Sequence, residues 1–409
     1  HEFDEGIEEL WRMQYGGVHP EAADQEGGYD GDGFEGARYT YLAANVLLDD
    51  DGLPVFPAYA VRRFGNALIG FIGMTLEGTP NVVTAAGVEG LTFLDEAETA
   101  NALVPELQAL GVETIVVLVH EGGAATGAYN ECVGVSGPLF EIVKRLDPAI
   151  DVVIAGHTNA AHNCNIDGKI VTSAAHNGRL VSDIDLVIDE RTGDVKSMQS
   201  GNVIVARTGA KDPDQTAIIA KWKALIAPIA NRVVATIAGD IGKTPNALGE
   251  SPLGNAIADA QLAASSGAQI AFMNPGGIRV DLVASQVSGG EQPGEVTYGE
   301  LFAVQPFSNN LVMLDLTGAQ IERVLEEQYY DFGKSAARAA AMVLQVSQGF
   351  SYTVDLTKPA GERVDPVPPR ELRSLARRRL DLLIDGAANI HASTTEAFLA
   401  EAVIEAARE

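Results

Sequence analysis

Two histidines stand where sequence makes chemistry easy to arrange. His120 closes the apolar run TIVVLVH and is followed by Glu121-Gly122-Gly123; His157 closes DVVIAGH and is followed by Thr158 and Asn159. Each ends a β-rich run beside glycine, so both are expected at one edge of a sheet. There, imidazole nitrogens suit zinc, manganese or iron, and the glycines let a ligand approach the backbone. Taken singly, each also reads as a satisfied structural histidine. His1 and Asp4 are three residues apart. At the start of a helix the two would face one way, the carboxylate orienting the imidazole and raising its basicity. That spacing also arises by chance on surface helices, and His1 reads equally well as the scar of a tag or a mature terminus.

The elements around these residues alternate. YLAANVLL, ALIGFIGMTL, TIVVLVH and DVVIAGH are short β-rich runs closed by a charge, a glycine or a polar turn. Between them, TFLDEAETANALVPELQALG predicts a helix capped by Thr92 and stopped at Gly111, and SGPLFEIVKRLDP a helix from Ser136 to Asp147-Pro148. Strands with helical crossovers predict an α/β chain with a mainly parallel or mixed layered sheet, its chemistry where strands end.

After about residue 205 the texture changes. KDPDQTAIIAKWKALIAPIANRVVATI reads as a capped helix running into a strand and connecting to a second domain. NAIADAQLAASSG predicts a helix, QIAFMNPGG a strand into a loop, TYGELFAVQP a short helix and turn, and NLVMLDLTGAQIERVLEEQ a strand into a helix. From about Pro366 the chain is arginine-rich and poor in strand signal.

Composition narrows the partners. The 409 residues exceed one ordinary core, 46% of them are hydrophobic, and 43 glycines with few aromatics favour tight strand-helix junctions. The formal charge of −28, from 56 acidic against 28 basic side chains, repels phosphate backbones and anionic lipid, so nucleic-acid polymers and membrane faces are not expected partners. No apolar run reaches the about 18 residues of a spanning helix. Cys132 and Cys164 are neither a CxxC pair nor enough for a metal site; a buried free pair and a single disulfide of an exported protein both fit them.

Several motifs, in one order along residues 1 to about 365, resemble the 5′-nucleotidase family of calcineurin-like metallophosphoesterases. HEFDEGIEEL is similar to the second half of that family's Gly-Asn-His-Glu-Phe-Asp motif, VLVHEGG to its strand-end histidine motif, and AGHTN to Gly-His-Thr-His or Gly-His-Ser-Gln. ESPLGNAIADA resembles the opening of its second domain, FMNPGGIR the Asn-Gly-Gly-Gly-Ile-Arg motif, and VQPFSNNLV the Pro-Phe-Gly-Asn turn. The resemblance implies a calcineurin-like αββα metallophosphoesterase sandwich lacking its N-terminal part over 1–205, a linker helix or hinge over 206–235, a smaller α/β nucleotide-binding domain over 236–365, and an atypical tail over 366–409. It implies His1 and Asp4 as the catalytic dyad, and His120, His157 and Asn159 as ligands of two divalent metal ions (zinc, manganese, cobalt or similar). It further implies Asn274, Gly277 and Arg279 as substrate-binding residues, Phe307 as the ring that stacks on a nucleobase, and Asn309 as its hydrogen-bonding neighbour. The expected activity is release of phosphate from nucleoside 5′-monophosphates, with UDP-sugars and 2′,3′-cyclic nucleotides as further substrate classes. The parent is expected to be exported, and a monomer or homodimer.

Departures set the competing expectation. The family's Asp-x-His motif, bridging aspartate and asparagine before the catalytic histidine all belong upstream of residue 1, so the chain as given is expected to be inactive. Asn159 stands where the family usually has histidine or glutamine, with His162 a weak candidate to compensate, and Gly249 replaces a binding arginine of some branches. The Gly-Gly-Asp-Gly-Phe motif expected late in the chain is missing after residue 365. A nucleotide-binding relic without turnover is the alternative function.

Overall fold

The runs TIVVLV and IDVVIA are apolar on both sides of the pleat, the pattern of strands covered on both faces. In the computed structural model, which describes residues 2–18, 34–307, 309–329, 343–364 and 381–386, they lie at the centre of a six-stranded sheet. The chain divides into two compact units, residues 1–211 and 212–409.

The first unit begins with α1 (Ile7–Tyr15) and contains β1 (Val46–Leu48), β2 (Tyr59–Phe64), β3 (Ala67–Met74), β4 (Leu91–Phe93), α2 (Glu96–Ala109), β5 (Thr114–Val119), α3 (Pro138–Arg145), β6 (Ile150–Ala155), β7 (Ala161–Ile166), β8 (Lys169–Ala174), β9 (Leu180–Ile188) and β10 (Val195–Ile204). The sheet runs β2-β3-β5-β6-β8-β7. Strands β3, β5, β6 and β8 are parallel, so their carboxyl ends share one edge, while β2 and β7 flank them antiparallel. On one face, Leu107 of α2 and Leu139 and Val143 of α3 pack with Ile72, Ile115, Val117 and Val153. On the other, the antiparallel ribbon β9–β10 lays Ile184, Leu186, Ile188 and Met198 over Ile69, Val116, Val152 and Ile170. The strict alternation of LVSDIDLVI is what lets β9 turn one side inward and leave Val181, Asp183, Asp185 and Val187 outward. This is the layered α/β architecture expected from the sequence.

Several expected boundaries are corrected. Thr92 does not cap α2; it pairs with Leu47 in the β1–β4 ribbon, and Asp95 caps instead, accepting from Glu98 N. Three residues closer to the apolar stripe, Asp95 presents its carboxylate to the first free amides. Ser136 likewise does not begin α3; its backbone bridges to Ala124, and Gly137 precedes the helix. Asp4 precedes α1 rather than lying on it, because Gly6 at φ 86 ends a turn closed by Gly6 N donating to Phe3 O. His1 lies outside the described residues.

The second unit contains α4 (Pro213–Ala230), β11 (Val233–Thr236), α5 (Pro252–Ala264), β12 (Ala268–Met273), β13 (Glu295–Thr297), α6 (Tyr298–Val304), β14 (Asn310–Asp315), α7 (Gly318–Glu327), β15 (Gln345–Val346) and β16 (Asp381–Gly386). Its four-stranded sheet runs β14-β16-β12-β15, and β11 pairs with β13. Both α6 and α7 start with a capping box, Thr297/Glu300 and Thr317/Gln320, the device that lets short helices begin sharply. Asp381–Gly386 pairs with β12 and β14 although its surroundings read as poor in strand signal. Only Leu382-Leu383-Ile384 carries that signal, three residues inside an arginine-rich stretch.

Candidate active site

His120 follows the last residue of β5, its N–H donating to Met74 O across the sheet edge (3.0 Å). His157 follows β6 by one glycine and adopts φ 60, a left-handed conformation that is strained without glycine. The two rings meet: His157 Nδ1 lies 3.4 Å from His120 Nε2, with ring centroids 5.2 Å apart at 75°. Two imidazole nitrogens each about 2.1 Å from one ion, at a near-tetrahedral angle, stand about 3.4 Å apart. The pair fits a shared metal ion. Burial first, then the positive charge of His157, pulls the pKa of His120 down against the opposing pull of Glu2, which favours the neutral ligand form.

The loops carrying these rings are braced together. Thr158 Oγ1 donates to Gly123 O (2.6 Å), and Gly156 N donates to Glu121 O (3.2 Å). A Cβ on Gly122 would stand 2.4 Å from Thr158 Oγ1, and one on Gly123 2.3 Å from the Phe140 ring. Glycine is therefore needed at both places so the loops can close on each other.

Farther along, the segment after His120 is tied down twice. Cys132 and Cys164 form a disulfide, which decides between the two readings of the cysteines; Cys164 lies within β7. Asn202, almost fully buried, donates through Nδ2 to Tyr129 O (2.8 Å), His162 O (3.2 Å) and Ser173 O (3.1 Å) and accepts at Oδ1 from Ser182 (2.6 Å). Asn130 completes the knot, accepting from Asn202 N and donating to Asn202 O.

Other expected residues fall as follows. Asn159 is exposed on the His157 loop at φ 56. His162 does not compensate for it: its ring is fully buried against Phe140, with neither nitrogen hydrogen-bonded. Asp4 Oδ1 accepts from Thr84 N (3.3 Å), and its carbonyl accepts from Thr84 Oγ1 (2.8 Å). In the second unit, Asn274 precedes the 3-10 turn Pro275–Gly277, whose Gly277 is buried. Arg279 donates through Nη1 to Gly276 O (3.2 Å) and holds its guanidinium 5.3 Å from the centre of the Phe307 ring. The structure thus brings Asn274, Gly277, Arg279 and Phe307 to one place, while Asn309 is exposed two residues beyond Phe307.

Two features escaped the sequence reading. The carboxylates of Glu77, Asp95 and Glu96 lie within 4.8 Å of one another. Local bonding accounts for the cluster: Glu96 accepts from Glu77 N (2.7 Å), and Asp95 caps α2 and pairs with Arg145. The second is His176, two residues past the end of β8 and so a third histidine at the carboxyl edge of the parallel strands. Its signal was present in SAAHNG, a histidine near a strand end with a glycine close by, as His120 and His157 also have.

Comparison with known proteins fits this arrangement. The sequence model of the 5′-nucleotidase C-terminal domain matches residues 233–379. Endonuclease YhcR of Bacillus subtilis (strain 168) is 31% identical over 368 residues, 89% of this chain and 27% of that protein. Cell wall protein Lmo0130 of Listeria monocytogenes serovar 1/2a is 32% identical over 352 residues, 80% of this chain and 44% of that protein. The chain thus spans less than half the length of either relative. The crystal structure of a 5′-nucleotidase precursor from Thermus thermophilus shares the fold, with a TM-score of 0.69 at 24% identity over 100% of this chain and 80% of that one. Residues 233–379 belong to the 5′-nucleotidase C-terminal domain family. Asn274, Gly277, Arg279, Phe307 and Asn309 all fall inside the segment that matches the 5′-nucleotidase C-terminal domain; His120 and His157 lie in the unit before it.

Proposed function

We propose that the protein is a metal-dependent phosphohydrolase that releases phosphate from nucleoside 5′-monophosphates. The observation that carries this reading is the 3.4 Å approach of the His120 and His157 ring nitrogens at the edge where four parallel strands end. His120 and His157 would hold a divalent ion, with Asn159 as a weaker oxygen donor beside them. Bound there, such ions polarise phosphoryl oxygens and lower the pKa of a coordinated water. Thr158 keeps the two imidazoles at ligand spacing. His1 serves as the proton donor to the leaving ribose oxygen, oriented by Asp4. Arg279, planar and permanently charged, binds the substrate anion, and the Phe307 ring offers a stacking face for the base.

The charge of −28 favours a small nucleotide over a nucleic-acid polymer. Export is part of the proposal, supported by the disulfide and by the relative named a cell wall protein. No helix among the described residues is long and apolar enough to cross a membrane. The test is phosphate release from AMP, with manganese or zinc added, by a full-length protein that includes the motifs expected upstream of residue 1. Release abolished by a chelator supports the reading; nucleotide binding without any release contradicts it and leaves the non-turnover alternative.

A further inference from the structure

Backbone strain marks more of this sheet edge than His157. Among the described residues, five that are not glycine have positive φ: His157 (60°), Asn159 (56°), Asp167 (49°), Ala175 (56°) and Asn177 (60°). Asp167 belongs to the tight turn joining β7 to β8. The other four sit in two adjacent loops, one leaving β6 and one leaving β8, which are parallel neighbours in register from Val152↔Ile170 to Ile154↔Thr172. The loops are bonded to each other, Ala175 N donating to Ala160 O (3.1 Å). Left-handed backbone is costly for alanine, which has no side-chain hydrogen bond to offset it, and such strain persists where the surroundings over-determine it. At the centre of the second strained loop stands His176, half-buried, its carbonyl accepting from Arg179 N (3.4 Å).

A third metal-ligand role for His176 does not fit. Donors to one ion at about 2.1 Å stand at most about 4.2 Å apart. Among the described residues, no group of three histidine, cysteine or carboxylate donors that includes His176 lies within 4.8 Å. His176 sits instead on the loop bonded to the one that carries His157, next to the proposed ion site at the same sheet edge.

We infer that His176 is a substrate-contacting residue, whose imidazole N–H donates to a non-bridging oxygen of the phosphoryl group. The inference rests on the proposed phosphohydrolase reading and names a group which that reading does not use. It also gives the strained loop after β8 a purpose: Ala175 and Asn177 turn the chain so that the histidine between them stays at the sheet edge.

The test compares wild type with His176→Ala and His176→Gln, measuring inorganic phosphate binding to the manganese-loaded protein by calorimetry, manganese affinity, and kcat/KM for AMP. Loss of one hydrogen bond to a charged oxygen predicts phosphate binding weaker by about ten-fold or more in the alanine variant, with partial recovery in the glutamine variant, which keeps a donor. Manganese affinity should stay within about two-fold of wild type. Unchanged phosphate binding in His176→Ala overturns the inference, and so does an equal loss of manganese affinity, which would make His176 a ligand. Wild-type turnover with unaltered variants removes this inference alone; a wild type that neither binds manganese nor releases phosphate removes the functional reading beneath it.

Discussion

At the scale of single residues, the hydroxyl of Thr158 is the brace between the two ligand loops, reaching Gly123 O at 2.6 Å. A hydrogen bond of this kind contributes about 0.5–1.5 kcal/mol. Thr158→Val, which keeps the shape and loses the donor, is therefore expected to weaken manganese binding by about three- to ten-fold, while Thr158→Ser stays near wild type; titration calorimetry reads both. Asp151 gives a pH signature. It accepts from Ile115 N (2.9 Å), and burial first, then the charge of Asp194, pushes its carboxyl up to about 6 against the backbone bond and Lys169. Because the folded state holds this proton more tightly than the unfolded chain, whose value is about 3.9, the stabilisation is complete below about pH 4 and is lost as pH rises through about 6. Asp151→Asn should flatten that stretch of the thermal midpoint against pH, and a variant with the wild-type slope would refute the assignment. The strand-end positions of His120 and His157 were legible in sequence because a strand end is visible as an apolar run that stops. The hydrogen bond of Thr158 was not, because it depends on how closely two distant loops approach.

At the scale of elements, the parallel order β3-β5-β6 follows from apolar runs joined by the helices α2 and α3, and the sequence made that much visible; β8 enters through the β7–β8 hairpin, which it did not show. Helix starts were less legible: Thr92 and Ser136 are good capping types, but strand pairing and a backbone bridge claim them first. The segment after His120 shows the same limit, since nothing local announces that Asn202, more than seventy residues on, satisfies the Tyr129 carbonyl. That segment is also closed by the Cys132–Cys164 disulfide, which spans 32 residues. Removing a disulfide of this loop length costs about 3.7 kcal/mol. Cys132→Ser/Cys164→Ser should lower the thermal midpoint accordingly, measured by calorimetry, yet keep AMP turnover, because the Asn130–Asn202 pair and the Thr158 brace remain. Loss of turnover in a folded double variant would show that the disulfide, and not these bonds, sets the site.

At the scale of the whole molecule, the formal charge of −28 works against an anionic substrate, and Arg279 is the proposed local counterweight. Screening by salt shortens the reach of that repulsion, to about 10 Å at 0.1 M. The apparent KM for AMP should therefore fall as ionic strength rises from about 10 to 100 mM at fixed metal, and a KM that rises steeply instead would mean that attraction dominates at the site. The sequence changes texture after residue 205, and the structure divides the chain into two units at 211/212. The strand at Asp381–Gly386 was not, because three apolar residues give too short a pattern to stand out. The central claim is that His120 and His157 jointly hold the ion on which phosphate release depends. Its most direct test is manganese-supported phosphate release from AMP by wild type and by His157→Ala, with manganese affinity measured on the same samples. The expected result is a variant that remains folded, binds manganese more weakly by about ten-fold or more, as for loss of a metal-site interaction, and loses turnover with it; a folded His157→Ala protein with wild-type affinity and turnover would contradict the claim.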